Sequence, residues 1–284
     1  MATVEIAKNG NYFALKGVKS ENTSKAPPRG TIKTFSKQSQ KRLRFAIAKI
    51  NRQKINKTML FITLTYPLKL DPDAALWKRN LSTFIKSINR LIPGNAIIWK
   101  LEFQKQGNPH FHLLLFPPIG YEPPTNKKEL YAWVAETWNR IAAPGNADHL
   151  KAGTRVDIVK DPWPFLTYMG KYLSDGLKQA KTKFKLDSLG RFYGIYGRKY
   201  LPVTMLETEI DQQSFVQIRR LAYKFLQKKT RQPYTIFRDN QGITLFLNDK
   251  EAFRLVEFIL EQNFRKNKQF CEYFRTRFDP NRFP

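Results

Sequence analysis

The spacing of hydrophobic residues predicts four strands in the first two thirds of the chain. The segments MLFITLTY (59–66), NAIIWKLEFQ (95–104) and PHFHLLLF (109–116) are rich in β-branched and aromatic residues. Proline, glycine or asparagine bounds them, as is typical of strands. TRVDIV (154–159) favours a fourth, shorter strand.

Apolar residues at spacings of three and four predict helices between these strands. One covers 71–94, with Asp71 as a possible N-cap and Pro-Gly at its end, and the others cover 126–142 and 164–176. A basic amphipathic helix is predicted over 36–51. This order of elements predicts an α+β fold with a central antiparallel sheet flanked by helices.

The segments on either side of this core are more basic and less regular. Residues 1 to about 35 lack periodicity and favour a mobile basic arm. We therefore expect three parts: a basic arm and amphipathic helix (1–54), a central domain (55–178) and a basic C-terminal α/β extension (179–284). The elements predicted in the extension are a helix from Glu207 to Lys229, strands at 234–237 and 243–247, and a helix over 249–262.

The charge of the chain points to a polyanionic partner. Fifty Lys and Arg residues oppose 23 Asp and Glu residues, which gives a formal net charge of +27. No acidic residue occurs from Asn22 to Leu70. Aromatic residues, which can stack on bases, are interleaved with the charges, so nucleic acid fits better than a membrane surface.

The single cysteine, Cys271, excludes an intramolecular disulfide and a cysteine-based zinc site. No apolar run approaches the roughly 18 residues of a membrane span, and the N-terminus lacks the apolar core of a secretory signal. We therefore expect a soluble, cytoplasmic protein without a membrane partner.

Two of the three histidines lie one residue apart in a predicted strand. Because successive side chains alternate between faces, His110 and His112 share one face. Glu102 is the only acidic residue between Asp73 and Glu122, and it lies on the preceding strand. A carboxylate and two imidazoles could therefore converge on one cation.

The turn decides whether they converge. A three-residue loop over 105–107, with Gly107 in the left-handed conformation, places Glu102 directly opposite His110. A two-residue loop would place Glu102 opposite Leu113 and turn it away from both histidines. The metal hypothesis therefore predicts the three-residue register.

Two imidazoles and one carboxylate leave coordination positions open, which suits a catalytic Mg²⁺ or Mn²⁺. The structural alternative is a hairpin whose histidines are half-buried and hydrogen-bonded. Thr63 and Thr65 alternate onto one face of the first strand, where they either contact DNA or simply favour the strand. His149 lies in a predicted loop and is assigned no role.

The segment YMGKY (168–172) supplies a candidate nucleophile. On a helix, Tyr168, Lys171 and Tyr172 share one face. A phenol has a pKa of about 10, so it needs a neighbouring cation to become a good nucleophile. The structural alternative is an amphipathic helix with aromatic core residues and a solvated lysine.

In this order, FITLTY (61–66), PHFHLLLF (109–116) and YMGKY (168–172) resemble the three motifs of the HUH superfamily of replication initiators. The Tyr-x-x-Lys-Tyr form is similar to that of rolling-circle initiators of small single-stranded DNA phages and some plasmids. The resemblance covers residues 55–178.

The resemblance implies a metal-dependent endonuclease that nicks and rejoins single-stranded DNA or an origin hairpin through a 5′-phosphotyrosine bond, which initiates rolling-circle replication. The freed 3′-hydroxyl would prime a host polymerase. The implied roles are metal ligands for His110, His112 and Glu102, nucleophile for Tyr168, electrostatic partner for Lys171, and second nucleophile or structural residue for Tyr172.

No Gly-x-x-x-x-Gly-Lys-Ser/Thr sequence is present, so we expect a host helicase to unwind the duplex in trans. Two other functions stay open. A transposase or relaxase of a mobile element uses the same chemistry, although relaxases commonly use a third histidine and place the tyrosine before the histidines. A basic nucleic-acid-binding protein would have no chemistry at all.

Overall fold

The computed structural model describes residues 2–17, 32, 35–56, 58–67, 73–104, 107–122, 126–159, 161–162, 164–166, 169, 189–230, 242–247, 251 and 254–255. The elements in chain order are β1 (Ala2–Ala7), β2 (Phe13–Lys16), α1 (Lys37–Ala48), β3 (Leu60–Thr65), α2 (Ala74–Leu91), β4 (Ala96–Phe103), β5 (Pro109–Phe116), α3 (Lys127–Ala142), α4 (Ala147–Ala152), β6 (Thr154–Ile158), β7 (Tyr193–Tyr196), β8 (Met205–Ile210), α5 (Gln212–Thr230) and β9 (Ile243–Leu245), with short 3-10 helices at Arg52–Lys54 and Arg198–Tyr200.

The described chain forms two compact units, each built around an antiparallel sheet. The five-stranded unit comprises Pro28–Ile47 and Lys54–Pro202, and the four-stranded unit comprises Met1–Pro27, Ala48–Gln53 and Val203–Pro284. The predicted α+β class with antiparallel sheets flanked by helices is confirmed, and the architecture is consistent with an HUH nuclease-like fold. The units do not follow the predicted boundaries at 54 and 178, because the second unit combines segments from both parts of the chain.

The sheet of the five-stranded unit has the strand order β6-β3-β5-β4-β7. Helices α2 and α3 cover one of its faces. The Trp77 ring packs against Phe103 with centroids 6.2 Å apart, and the Trp138 ring packs against Tyr66 at 5.0 Å and Phe84 at 5.7 Å. Since Glu102 precedes Phe103 on the strand, its side chain lies on the opposite face of the sheet.

Helix starts follow the sequence signals closely. The N-cap of α2 is Asp73, whose carboxylate accepts from the Ala75 N–H at 2.8 Å. The predicted cap, Asp71, lies outside the described residues. Asn126 caps α3 by accepting from the Lys128 N–H at 3.1 Å, as the predicted helix start at 126 requires.

In the four-stranded unit the strand order is β8-β1-β2-β9. The expectation of an irregular arm is wrong for residues 2–16, which form two strands of this sheet. Val4 and Phe13 are fully buried in a core that includes Phe215 of α5. The physical reason is a period-2 alternation of apolar residues in both short segments, which is stabilising only when distant strands cover it.

Two further predictions in the C-terminal part are corrected. The helix expected from Glu207 begins at Gln212, because residues 205–210 form β8, where apolar residues alternate with Glu207 and Glu209. β7, at 193–196, was not predicted, since its YGIY sequence is short and contains a glycine.

Several predicted elements lie partly or wholly outside the described residues. Within 164–176, residues 164–166 and 169 are helical, and within 249–262, residues 251, 254 and 255 are helical. Strand 234–237 is not described. None of the helices in the described ranges is both long enough and apolar enough to cross a bilayer.

Candidate metal centre

The β4–β5 hairpin adopts the register on which the metal hypothesis depends. The Gln104 N–H donates to the Asn108 carbonyl at 2.8 Å, which closes a three-residue loop. Gly107 within this loop has φ +89°, in the left-handed region. Glu102 is directly opposite His110, so the predicted register is confirmed.

The register brings three ligand atoms together. Glu102 Oε2 lies 3.5 Å from His110 Nε2 and 3.3 Å from His112 Nε2, and the two Nε2 atoms are 3.1 Å apart. A cation bound at about 2.1 Å would separate neighbouring ligand atoms by roughly 3.0 Å in octahedral geometry and roughly 3.4 Å in tetrahedral geometry. The three residues therefore fit a divalent ion.

Lys100 is a fourth member of the centre that sequence analysis missed. Its side chain, only 2% exposed, places Nζ 2.6 Å from Glu102 Oε1. The two carboxylate oxygens therefore have separate partners, because Oε1 binds the ammonium while Oε2 faces the imidazoles. This arrangement holds Glu102 as a ligand through one oxygen.

The surroundings keep Glu102 ionised. Burial alone would raise the pKa of Glu102, but hydrogen bonds with His110 and His112, together with the Lys100 ammonium, hold that pKa well below its usual range. The carboxylate is therefore an anionic ligand throughout the neutral pH range.

Thr63 orients the imidazole of His112. Its Oγ1 lies 3.1 Å from His112 Nδ1, which leaves Nε2 directed at Glu102 and His110. The Phe61 ring stacks on the same imidazole with centroids 5.4 Å apart and planes 10° apart. Burial lowers the pKa of His112, and the charge of His110 adds to this effect. Neutral imidazole, the form that binds metals, is thereby favoured.

The polar residues around the ligands could have been found only in part from sequence. Thr63 pairs with His112 and His112 with Lys100, so the three side chains share one face of the sheet. The alternation of Thr63 and Thr65 was visible in the sequence, but their pairing partner was not. The only signal for Lys100 was a lysine in an apolar strand two residues before Glu102.

The candidate nucleophile Tyr168 and its partners Lys171 and Tyr172 lie outside the described residues. Their closest described neighbour toward the centre is Phe165, whose ring meets Phe61 edge-on at 5.4 Å. Phe165 is thus linked to His112 through a single intervening ring.

His149 is not in a loop, as was expected, but in α4, where it is buried. Its Nε2 lies 2.8 Å from the Thr65 carbonyl oxygen, and its Nδ1 lies 3.2 Å from Asn139 Nδ2. Both ring nitrogens are therefore engaged in anchoring the end of β3, and His149 is a structural residue.

Comparison with protein families connects this geometry to a known group of proteins. Residues 59–176 match the family described as Replication-associated protein ORF2. The matched segment is less than half of the chain, begins just before β3 and includes all three ligand candidates. No curated protein matches the chain. The similarity to replication-associated proteins supports a rolling-circle replication initiator that binds DNA.

Proposed function

We propose that this protein is a metal-dependent DNA endonuclease and strand transferase that nicks one strand of single-stranded DNA or an origin hairpin and so initiates rolling-circle replication. The observation that carries the proposal is the convergence of Glu102, His110 and His112 within a segment similar to replication-associated proteins. A non-catalytic nucleic-acid-binding protein has no need for three ligand atoms at these distances.

Glu102, His110 and His112 would hold Mg²⁺ or Mn²⁺, with coordination positions left for phosphate oxygen and water. A bound cation of this kind supplies Lewis-acid stabilisation of the negative charge that develops on a scissile phosphate. The contribution of the chain is to fix the ligands in place. Lys100 and Thr63 do so by holding Glu102 Oε1 and His112 Nδ1.

Tyr168 is the proposed nucleophile. Its phenolic oxygen attacks the phosphorus, loses its proton to solvent and forms a 5′-phosphotyrosine bond. The bond from phosphorus to the 3′-oxygen breaks, and that oxygen leaves as a 3′-hydroxyl after gaining a proton. Tyr168 follows Phe165 by three residues, so its Cα lies no more than about 11 Å from that of Phe165.

Lys171 is proposed to stabilise the phenolate of Tyr168, because an adjacent ammonium lowers the cost of the charged form. Tyr172 is proposed as a second nucleophile that attacks the regenerated junction and completes the cycle. The freed 3′-hydroxyl would then prime a host polymerase, with a host helicase acting in trans.

The test is a covalent-adduct assay. The protein is incubated with Mn²⁺ and a pool of random single-stranded oligonucleotides labelled at the 3′ end, and products are separated on a denaturing gel. We expect a labelled protein band that Tyr168→Phe reduces at least about 100-fold, since covalent catalysis is lost. Tyr200→Phe, which changes an exposed tyrosine, should leave the band unchanged.

The same pool labelled at the 5′ end checks polarity. It should give shortened, protein-free strands that a DNA polymerase extends, because their 3′-hydroxyl is free. A wild-type protein that retains DNA in a gel-shift assay but gives no adduct would establish a binding protein instead. Mass spectrometry of the adducted peptide identifies the tyrosine directly.

A further inference from the structure

A cavity of about 480 Å³ opens at the end of the five-stranded sheet next to the candidate metal centre. This volume lies within the range of about 300 to 1,000 Å³ typical of small-ligand sites. The lining residues that bear on its chemistry are Thr65, Tyr66, Pro67, Gln104, Asn146 and Asp148.

The walls of this cavity are held in place by hydrogen bonds. The Thr65 carbonyl accepts from Trp138 Nε1 at 2.8 Å and also contacts His149 Nε2, while the Thr65 N–H donates to the Gly153 carbonyl at 2.8 Å. Asn146 caps α4 by accepting from the His149 N–H at 3.0 Å. The cavity is therefore preformed rather than a gap beside a loop.

The cavity adjoins the metal ligands on two strands. Thr65 is paired with His110, which places neighbouring Cα atoms about 5 Å apart. Gln104 follows Glu102 by two residues, about 7 Å along the strand. A strand of DNA with a phosphate at the metal ligands would therefore reach this cavity with an adjacent nucleotide.

The lining suits a planar heterocycle. The buried Tyr66 and the half-buried Pro67 provide apolar surface, whereas the side chains of Gln104, Asn146 and Asp148 provide hydrogen-bonding groups. A carboxylate in this position disfavours a phosphate and accepts only from donors. Among bases, adenine, cytosine and guanine present an exocyclic amino group that donates, and thymine does not.

We infer that this cavity is a base-reading pocket in which Asp148 accepts a hydrogen bond from the exocyclic amino group of a nucleotide next to the scissile phosphate. The inference rests on the proposed nicking activity and adds a determinant of its sequence specificity. Asp148 is exposed at the start of α4, so its carboxylate is available to a ligand.

The experiment sequences the DNA ends released and captured when the full-length protein reacts with Mn²⁺ and a random single-stranded oligonucleotide pool. For the wild-type protein we expect thymine to be depleted at least about five-fold at one position within about two nucleotides of the nick, as one good base contact provides. Asp148→Ala should remove the depletion. Asp148→Asn should admit thymine, because its amide can donate to thymine O4.

Glu136→Ala is the matched control, since it removes an exposed carboxylate from α3 away from the cavity. It should preserve the wild-type base distribution. Adducts with the same base distribution in the wild-type and Asp148→Ala proteins would overturn the base-reading pocket and leave nicking intact. A complete lack of wild-type adducts would instead overturn the proposed function, and the pocket with it.

Discussion

The hydroxyl of Thr63 touches no candidate ligand atom of the metal, yet it contacts the second nitrogen of the His112 ring. Contacts of this kind fix the tautomer and orientation of a metal-binding imidazole. Thr63→Val keeps the shape of the side chain and removes the hydroxyl. We expect Mn²⁺ affinity, measured by isothermal titration calorimetry, to fall about ten-fold or more.

Thr83→Val is the control for this change, because Thr83 is an exposed residue of α2 whose hydroxyl bonds only to its own helix. Equal Mn²⁺ affinities of Thr63→Val and wild type would show that the hydroxyl does not orient the ligand.

Lys100 and Glu102 form a buried ion pair, with side-chain exposures of 2% and 14%. Lys100→Met leaves the carboxylate without its ammonium partner, so the free energy of unfolding without metal should fall by about 3 kcal/mol. Mn²⁺ should restore part of this loss by giving the carboxylate a cation again. Urea unfolding with and without Mn²⁺ measures both effects.

The exposed Lys86 of α2 offers a matched substitution, Lys86→Met, that should change stability by less than about 0.5 kcal/mol. A Lys100→Met protein as stable as wild type in the absence of metal would contradict the buried pair.

At the scale of elements, the β4–β5 hairpin determines whether a metal centre forms at all. Gly107 has φ +89° in the loop that sets the register. Gly107→Val introduces a β-branched side chain at a positive φ, which costs about 1–3 kcal/mol. We also expect weaker Mn²⁺ binding, because the loop that places Glu102 opposite His110 is strained.

Gly120 separates the two effects. It also has a positive φ, +84°, and a Cβ there would meet no atom within 4 Å. Gly120→Val should cost similar stability in thermal unfolding and leave Mn²⁺ affinity unchanged. Weakened Mn²⁺ binding in both variants would mean that the loss reflects general instability rather than hairpin register.

At the scale of the whole molecule, the excess of 27 positive charges dominates interactions with DNA. The exposed basic residues of α1 include Lys41 and Arg42. We expect binding of single-stranded DNA to weaken steeply between about 50 and 200 mM NaCl, because bound cations are released from the phosphates. Fluorescence anisotropy at several salt concentrations gives the slope.

Arg42→Gln should reduce the slope of log K against log salt by about 0.7 if Arg42 contacts one phosphate. Arg90→Gln removes the same charge from the end of α2 and should change the slope less. An affinity insensitive to salt would exclude phosphate contacts as the source of binding.

The sequence by itself determined the local elements and the composition of the metal centre. The helices over 126–142 and 71–94 and the strands β3 to β6 follow from apolar periods of 3.6 and 2, which neighbouring residues in the chain establish. The register of β4 and β5 was also predictable, because a short loop with one glycine connects the strands. Glu102 and His110 are therefore a local pair, only eight residues apart.

Only the tertiary structure decided what depends on distant parts of the chain. β1 pairs with β8 across about 200 residues, and neither segment reveals its partner in its own short pattern. The roles of Thr63 and His149 depend on which strand or helix comes to lie beside them. Lys100 is buried at Glu102 because the fold removes both from water together, and a local hydrophobic pattern carries no information about that pairing.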